Sequence, residues 1–452
     1  MSEFGFALAP AQLDLVERTH AFARDVIRPV AAEYDEREEF PWPVLEEAAQ
    51  QGFYNPLFYR DLITDPTGLA LPLFMEELFW GCAGIGLSIV MPALALSAFN
   101  QAATPEQLLR FVPEFFGEPG DLKLAALAVS EPQGGSDVKN LQTTARRDGG
   151  DWVLNGRKMW IGNGGIANVH VVNATVDPEL GHRGQAMFIV PGGTAGLEMV
   201  RKLKKLGCRA SHTAELRFDD CRIPGDHLLG GDEKLEQRLA DARADGSRSA
   251  TLGAFEQTRP MVAAQALGIG RAALEFACEY AHEREAFGAP IADNQGISFP
   301  LAELAAELDS ARLLTWRASW MAAQKVPYRF AEGSMSKLKA SEVAVRITEQ
   351  AVQVTAGWGY IKDLPVEKWY RDAKLYKIFE GTSEIQRLVI GRTLDDMPEG
   401  PLHHHAPTEG GPLVRAFGRG SAPRLRAMQE GSRFARWLPG PLRRVTGKIM
   451  SP

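Results

Sequence analysis

The sequence predicts a mainly α protein with a β domain in its middle. Three observations carry that prediction. Apolar residues recur at helical spacing through the first 120 positions. Short extended runs separated by turn signals occupy 123–227. Long amphipathic Ala- and Leu-rich stretches return after Gly253. The expected order is a helical domain over 1–122, a β domain over 123–231, a charged insertion over 232–252, a helical bundle over 253–400 and a basic tail over 401–452. A chain of 452 residues, 45% hydrophobic and 24% charged, is long enough for two or three domains with their own cores.

Each element has a local reason. In "PAQLDLVERTHAFARDVIRPVAAEYDE", Leu13, Leu15, Val16, Phe22, Val26 and Ile27 trace an amphipathic helix. "LALPLFMEELFWGCAGIGLSIVMPALALSAFN" is apolar almost all round and predicts a buried helix pair. From Lys123 the pattern shortens. "LKLAALAV", "VHVVNATV", "AMFIVP" and "AELRFDDCRIP" read as strands, and "DGGD" and Asn155-Gly156 as turns, the second a hairpin signal. "GGDEKLEQRLADARADGSRSA" is highly charged and expected to be a mobile insertion. "PMVAAQALGIGRAALEFACEYAHERE", "PLAELAAELDSARLLTWRASWMAA" and "GSMSKLKASEVAVRITEQAVQVTAG" have the length and periodicity of a four-helix bundle.

Composition narrows the function classes. The net charge of -7 opposes general nucleic-acid binding, yet it is uneven: 401–452 holds nine Lys/Arg against two Asp/Glu. That tail mixes Arg with Leu, Phe and Trp, which fits contact with an anionic membrane surface, docking to a protein, binding of nucleic acid, or disorder. Cys82, Cys208, Cys221 and Cys278 show no CxxC spacing, and so suggest neither a zinc site nor a disulfide framework. Counting apolar windows predicts no membrane span, and "MSEFGFALAP" lacks a secretory pattern, so a cytoplasmic location is expected, with possible peripheral contact through the tail. His403–His405 lack further ligands, and no metal site is expected.

The chain has no P-loop, no G-x-S-x-G, and no GxGxxG between a strand and a helix. "GIGR" at 268–271 sits in a helical pattern, where glycine permits close helix packing. Two loops stand out. "AVSEPQGGSD" ends an apolar run with Gly134-Gly135-Ser136, a turn or a cradle for a polar group. "KMWIGNGG" places Trp160 where it either fills core or covers a flat ring. A third stretch, "IFEGTSEIQR", reads most simply as a helix start, with Thr382 as N-cap and Glu384 in the first turn. Glu380, between Phe379 and Gly381, is then either a surface charge or a base in an apolar site.

These loops, with "GAFEQTRPMVAAQALG", "EREAFGAPIADNQGIS", "QVTAGWGY" and "PVEKWYRDAK", resemble the acyl-CoA dehydrogenase family in order and spacing from about residue 10 to 397, nearest its short- and medium-chain members. The resemblance implies an N-terminal helical domain, a middle β barrel, a C-terminal four-helix bundle and FAD as cofactor. It places Leu127, Val129, Ser130, Gly135 and Ser136 along the isoalloxazine, and Trp160, Ile161 and Gly162 at its face and edge. It sends Arg284 to the FAD pyrophosphate across a subunit boundary, with Phe287 and Gln295 beside the adenosine. Gln353 and Gly357 would complete that pocket from another chain, and Thr382 and Glu384 would touch the same FAD. Ser136, Glu256, Arg259 and Gly381 would meet the acyl-CoA.

The reaction so implied is α,β-dehydrogenation of an acyl-CoA thioester to the trans-2-enoyl-CoA, with Glu380 as base and hydride passing to flavin N5. Electron-transfer flavoprotein would take the electrons, and the enzyme would be a homo-oligomer, expected as a tetramer. Thr258 stands where some family members carry the base, and it cannot serve as one. Gly162 replaces the family's usual Thr or Ser, Ala286 a polar residue and Glu256 an Asp, and the charged stretch 232–250 replaces a shorter loop. Two other readings are an acyl-CoA oxidase using oxygen and a flavin-containing nucleic-acid binder, the latter disfavoured by the acidic body.

Overall fold

The structure, a computed structural model, describes residues 8–244 and 250–394, with the backbone alone for 250–257. Helix α1 (Pro10–Phe22) opens the chain, and short helices follow at Ala31–Arg37, Trp42–Gln50 and Pro56–Ile63. The expected buried pair is α2 (Ala70–Gly81) and α3 (Ala83–Asn100), broken at Cys82, whose backbone is extended. Every residue from Pro72 to Val90 is buried. The all-round apolar surface is explained by its neighbours: α2 lies between α1 and a long helix of the bundle, while α3 packs on the sheet.

The middle domain is one seven-stranded curled sheet: β1 (Ala125–Ala128), β2 (Thr144–Asp148), β3 (Asp151–Gly162), β4 (Val169–Thr175), β5 (Gln185–Pro191), β6 (Leu197–Lys202) and β7 (Thr213–Pro224). The order is β1-β4-β2-β3-β7-β6, with β5 on β4. Strand β4 is buried at every residue and runs parallel to β1, in the register Ala125↔Val169 to Ala128↔Val172. Its polar members are therefore satisfied inside the protein: Asn173 donates to Gln185 Oε1, and Thr175 Oγ to the Leu141 carbonyl.

The Asn155-Gly156 hairpin does not form. The turn between β2 and β3 lies at Gly149-Gly150, with Asp148 opposite Asp151, and Asn155-Gly156 sits inside β3 at a shift of register against β7. Gly156 has φ 149°, and a Cβ there would lie 2.6 Å from Thr143 Cα. The glycine serves a bulge and a close backbone approach. Within the charged stretch, residues Gly231–Ala244 form helix α4. Leu235 and Ala242 are buried, Asp232 pairs with Arg147, Arg243 with Asp177, and Arg238 donates to the Gln185 carbonyl.

Helices α5 (Ala250–Glu283), α6 (Gln295–Ala323) and α7 (Glu332–Thr355) pack on one another, and the short α8 (Val366–Lys374) and α9 (Ser383–Gly391) pack on α7. Helix α5 runs 34 residues and also lies along α2. The crossing is close because Gly268 faces α2: a Cβ there would lie 2.3 Å from the Glu76 carbonyl oxygen. Gly268→Val should therefore destabilise the fold by about 1–3 kcal/mol through overpacking, read as a lower midpoint in urea unfolding. Helix α3 and the segment Thr258–Glu283 are long and apolar enough to cross a membrane, contrary to the window count, and most of each is buried within the protein. The residues through Thr393 form a single contact unit. The tail, His403–His405 included, lies outside the described residues.

Candidate active site

Two loops of the sheet are laced together by a buried ion pair. Lys158 of β3 donates to Glu131 Oε1 at 2.8 Å and to the Val129 carbonyl at 2.9 Å, and both charged groups are fully buried. Glu131 also accepts from the backbone N–H groups of Gln142 and Thr143, and Met159 N–H donates to the Ser130 carbonyl. Burial pushes the Glu131 carboxyl up, but the Lys158 charge and these hydrogen bonds outweigh it and hold it below the ordinary range. Burial lowers Lys158 to about 8 against the pull of Glu131. The geometry favours an ionised pair at neutral pH, because Glu131 retains so many donors. Between the anchors, Leu127, Val129 and Ser130 stay half-buried, while Gly135 and Ser136 are exposed.

Strand β3 ends on unusual backbone. Trp160 has φ 60° and Asn163 φ 58°, a region ordinary residues rarely occupy. The turn leaves the Trp160 indole 56% exposed beside this loop. Ile161, expected with it against a flavin face, points into the core at 2% exposure; the open face falls to Trp160 alone. At Gly162 a Cβ would lie 2.7 Å from Met91 Cε, so the thioether of α3 fills the space a Thr or Ser would take.

The third element is the turn before α9. Thr382 is indeed the N-cap, its Oγ accepting from Ile385 N–H at 3.2 Å, and Glu384 lies exposed in the first turn. Ahead of it, Glu380 at φ 53° and Gly381 at φ 87° are both left-handed. Lys337 of α7, fully buried, donates to the carbonyls of Tyr376 at 2.6 Å and Gly381 at 2.7 Å. Gln386 Nε2 donates to the carbonyls of Glu380 and Gly381. The Glu380 N–H meets no acceptor among the described residues. Phe379 packs edge-on against the buried Tyr376.

Glu380 keeps some solvent access as a residue, yet its carboxyl is enclosed by protein. Burial raises its pKa, and the positive charges of Lys337 and Arg259 pull it back. Arg259, on α5, donates to Ser334. Burial lowers it to about 10. An enclosed carboxylate with a raised pKa beside two cations is what a general base requires. Arg259 was in the expected set; Lys337 was not. Its signal was a lysine on the apolar face of a helix pattern, aligned with Ser334 and Ser341. The side chain of Glu256 lies outside the described residues.

The remaining expected contacts gather elsewhere. Arg284 and Gly357, expected to reach a cofactor from different chains, line one cavity of the same chain, of about 520 Å³, together with Tyr280, Ile291, Thr355 and Trp358. The ends of α5 and α7 lie side by side there, which is why the two meet. Gln353, Phe287 and Gln295 are exposed around this end of the bundle, Phe287 completely. An exposed guanidinium on a cavity suits a pyrophosphate, and an exposed indole beside a glycine loop suits a flat ring, so these residues fit a flavin dinucleotide. Among the described residues no group of three or more His, Cys, Asp or Glu side chains is placed to hold a metal ion.

"PVEKWYRDAK" takes a structural part. Lys368 pairs with Asp372 at 2.5 Å and approaches Cys82 Sγ at 3.1 Å, and Asp372 accepts from Cys208 N–H. Arg371 pairs with Asp35 and Glu367. The motif thereby ties the N-terminal helices and the middle domain to the bundle.

Comparison with known proteins agrees along the chain. The acyl-CoA dehydrogenase N-terminal, middle and C-terminal domain models match residues 9–119, 126–221 and 244–394. The mitochondrial short-chain specific acyl-CoA dehydrogenase of Bos taurus is 42% identical over 375 residues, 82% of this chain and 86% of its own. Butyryl-CoA dehydrogenase from Megasphaera elsdenii is 32% identical with a TM-score of 0.77, over 86% of this chain and all of its own. A chain in the structure of the electron transferring flavoprotein of Acidaminococcus fermentans is 30% identical with a TM-score of 0.76, over 86% of this chain and 99% of its own.

Proposed function

The chain belongs to the acyl-CoA dehydrogenase family, and from that premise we propose that it converts a short-chain acyl-CoA to the trans-2-enoyl-CoA with Glu380 as the base. The observation that carries this reading is the enclosed Glu380 carboxyl, raised in pKa and set on a left-handed turn between Lys337 and Arg259. As a carboxylate it takes the α proton of the thioester. Its own N–H, without an acceptor among the described residues, is available to the thioester oxygen as negative charge develops there. Gly381, next in the chain, keeps the backbone approachable. FAD, when bound, supplies the acceptor for the β hydride. Leu127 to Ser136 and Trp160 would hold its ring, and Arg284 with Gly357 its phosphate and adenosine portion.

The short chain is supported by the relatives named above, and electron-transfer flavoprotein as acceptor by the Acidaminococcus fermentans structure. The test is anaerobic bleaching of the flavin by thioesters from butyryl-CoA to palmitoyl-CoA, followed by reoxidation. Fastest bleaching by butyryl-CoA, with slow reoxidation in air and fast reoxidation by electron-transfer flavoprotein, is expected. Rapid peroxide formation in air would make the protein an oxidase instead, and absence of bleaching by every thioester would end the dehydrogenase reading.

A further inference from the structure

Lys337 is buried without a carboxylate among its hydrogen-bond acceptors. Its ammonium instead spends two donors on backbone carbonyls, those of Tyr376 and Gly381, which flank Glu380 in the chain. Between those carbonyls the backbone leaves the short turn Leu375–Lys377 and passes through two successive left-handed residues. A non-glycine residue at φ 53° is disfavoured by roughly 1–2 kcal/mol, so such a turn persists where its surroundings hold it. The holders here are Lys337 from α7 and Gln386 from α9, which converge on the Gly381 carbonyl at 2.7 and 2.9 Å. Lys337 is also the foremost positive charge acting on the Glu380 carboxyl.

We propose that Lys337 is the positioning residue of the base: its ammonium clamps the turn that aims Glu380 and sets a positive charge beside that side chain. The proposal rests on Glu380 being the base. The charged groups facing Lys337 are Glu380 on the turn, Arg259 on α5, Glu342 on its own helix and Glu384 on α9. Glu342 is engaged by Lys377 and Arg387, and Glu384 is exposed, which leaves Glu380 as the anion Lys337 serves. Burial lowers Lys337 to about 8, so this assistance fades in mild alkali.

The test compares Lys337→Met, Lys337→Gln and Lys337→Arg as flavin-loaded proteins, with Glu380→Gln as control. Single-turnover bleaching by butyryl-CoA is followed against pH. Both neutral variants should bind FAD and thioester but bleach about 10–100-fold more slowly. Their rate should also rise with pH later than in the wild type, by about one unit, because the carboxylate has lost a neighbouring cation. Lys337→Arg, which keeps the charge, should leave that rise in place. An unchanged pH dependence and a rate within about threefold of wild type in either neutral variant overturns the proposal. Bleaching by Glu380→Gln at the wild-type rate would instead remove Glu380 as base, a distinct failure. Should neither neutral variant hold flavin, amide exchange across 378–386 is compared between flavin-free wild type and flavin-free Lys337→Met. Protection that falls in the variant supports the clamp, because Met cannot donate to the Tyr376 and Gly381 carbonyls. Equal protection in the two overturns it.

Discussion

Glu380→Gln is expected to keep FAD and thioester binding while losing bleaching by about 10³–10⁴-fold. The substitution preserves shape and removes the one group at this turn able to accept the α proton. The amide also leaves the backbone contacts to Lys337 and Gln386 in place, since both go to carbonyls and neither to the side chain. Stopped-flow absorbance of the flavin reads the loss directly. The wild type should show a rate that rises with pH through the Glu380 pKa. That rise should lie above the ordinary carboxylate value of 4.5, because burial outweighs Lys337 and Arg259. A rate independent of pH across that interval would mean that another group takes the proton.

Lys158→Met should be the most damaging substitution for the fold near the site. It leaves Glu131 buried with no cation, which costs about 3–5 kcal/mol in stability. It also frees the Val129 carbonyl and with it the loop that carries Ser130 and Ser136. Thermal unfolding and flavin content should fall together. Adding Glu131→Leu to Lys158→Met should recover much of the stability and little of the flavin binding, since the lost ion pair can be replaced by packing but the loop geometry cannot. The sign with pH follows from Glu131. Its folded pKa is depressed, so its contribution is whole above the ordinary carboxylate value and is lost as pH falls through the folded one.

Much of this was legible in the residues, because helical spacing and apolar runs report burial, and burial set the element types. Every residue from Pro72 to Val90 is buried, as the pattern required. Asn155-Gly156 misled because the same dipeptide that favours a turn also permits a bulge, and Thr143 on a neighbouring segment decides which. Helix α4 left little signal because a charged, weakly amphipathic segment gains contacts from Arg147, Asp177 and Gln185, far away in sequence. The site divides the same way. Glu380 was singled out by the company of its motif, and Lys337 left only the sign of a lysine on the inner face of a helix pattern, whereas the Glu131–Lys158 pair acts by contacts that no local spacing encodes.

The long helix α5 has a consequence in the counting of active sites. Arg259 and Arg284 stand near its two ends, 25 residues apart in sequence, and therefore roughly 37 Å apart by helical rise. No single dinucleotide stretches that far. If Arg284 holds the pyrophosphate of the FAD whose ring lies beside Glu380 and Arg259, each site draws Arg259 from one chain and Arg284 from another, and every site is a composite. Mixed assemblies of Glu380→Gln chains with Arg284→Ala chains would then partition their lesions. Where the two kinds meet, one composite carries both defects and its mate carries neither. Activity would return on mixing two inactive preparations, in proportion to the fraction of hybrid pairs.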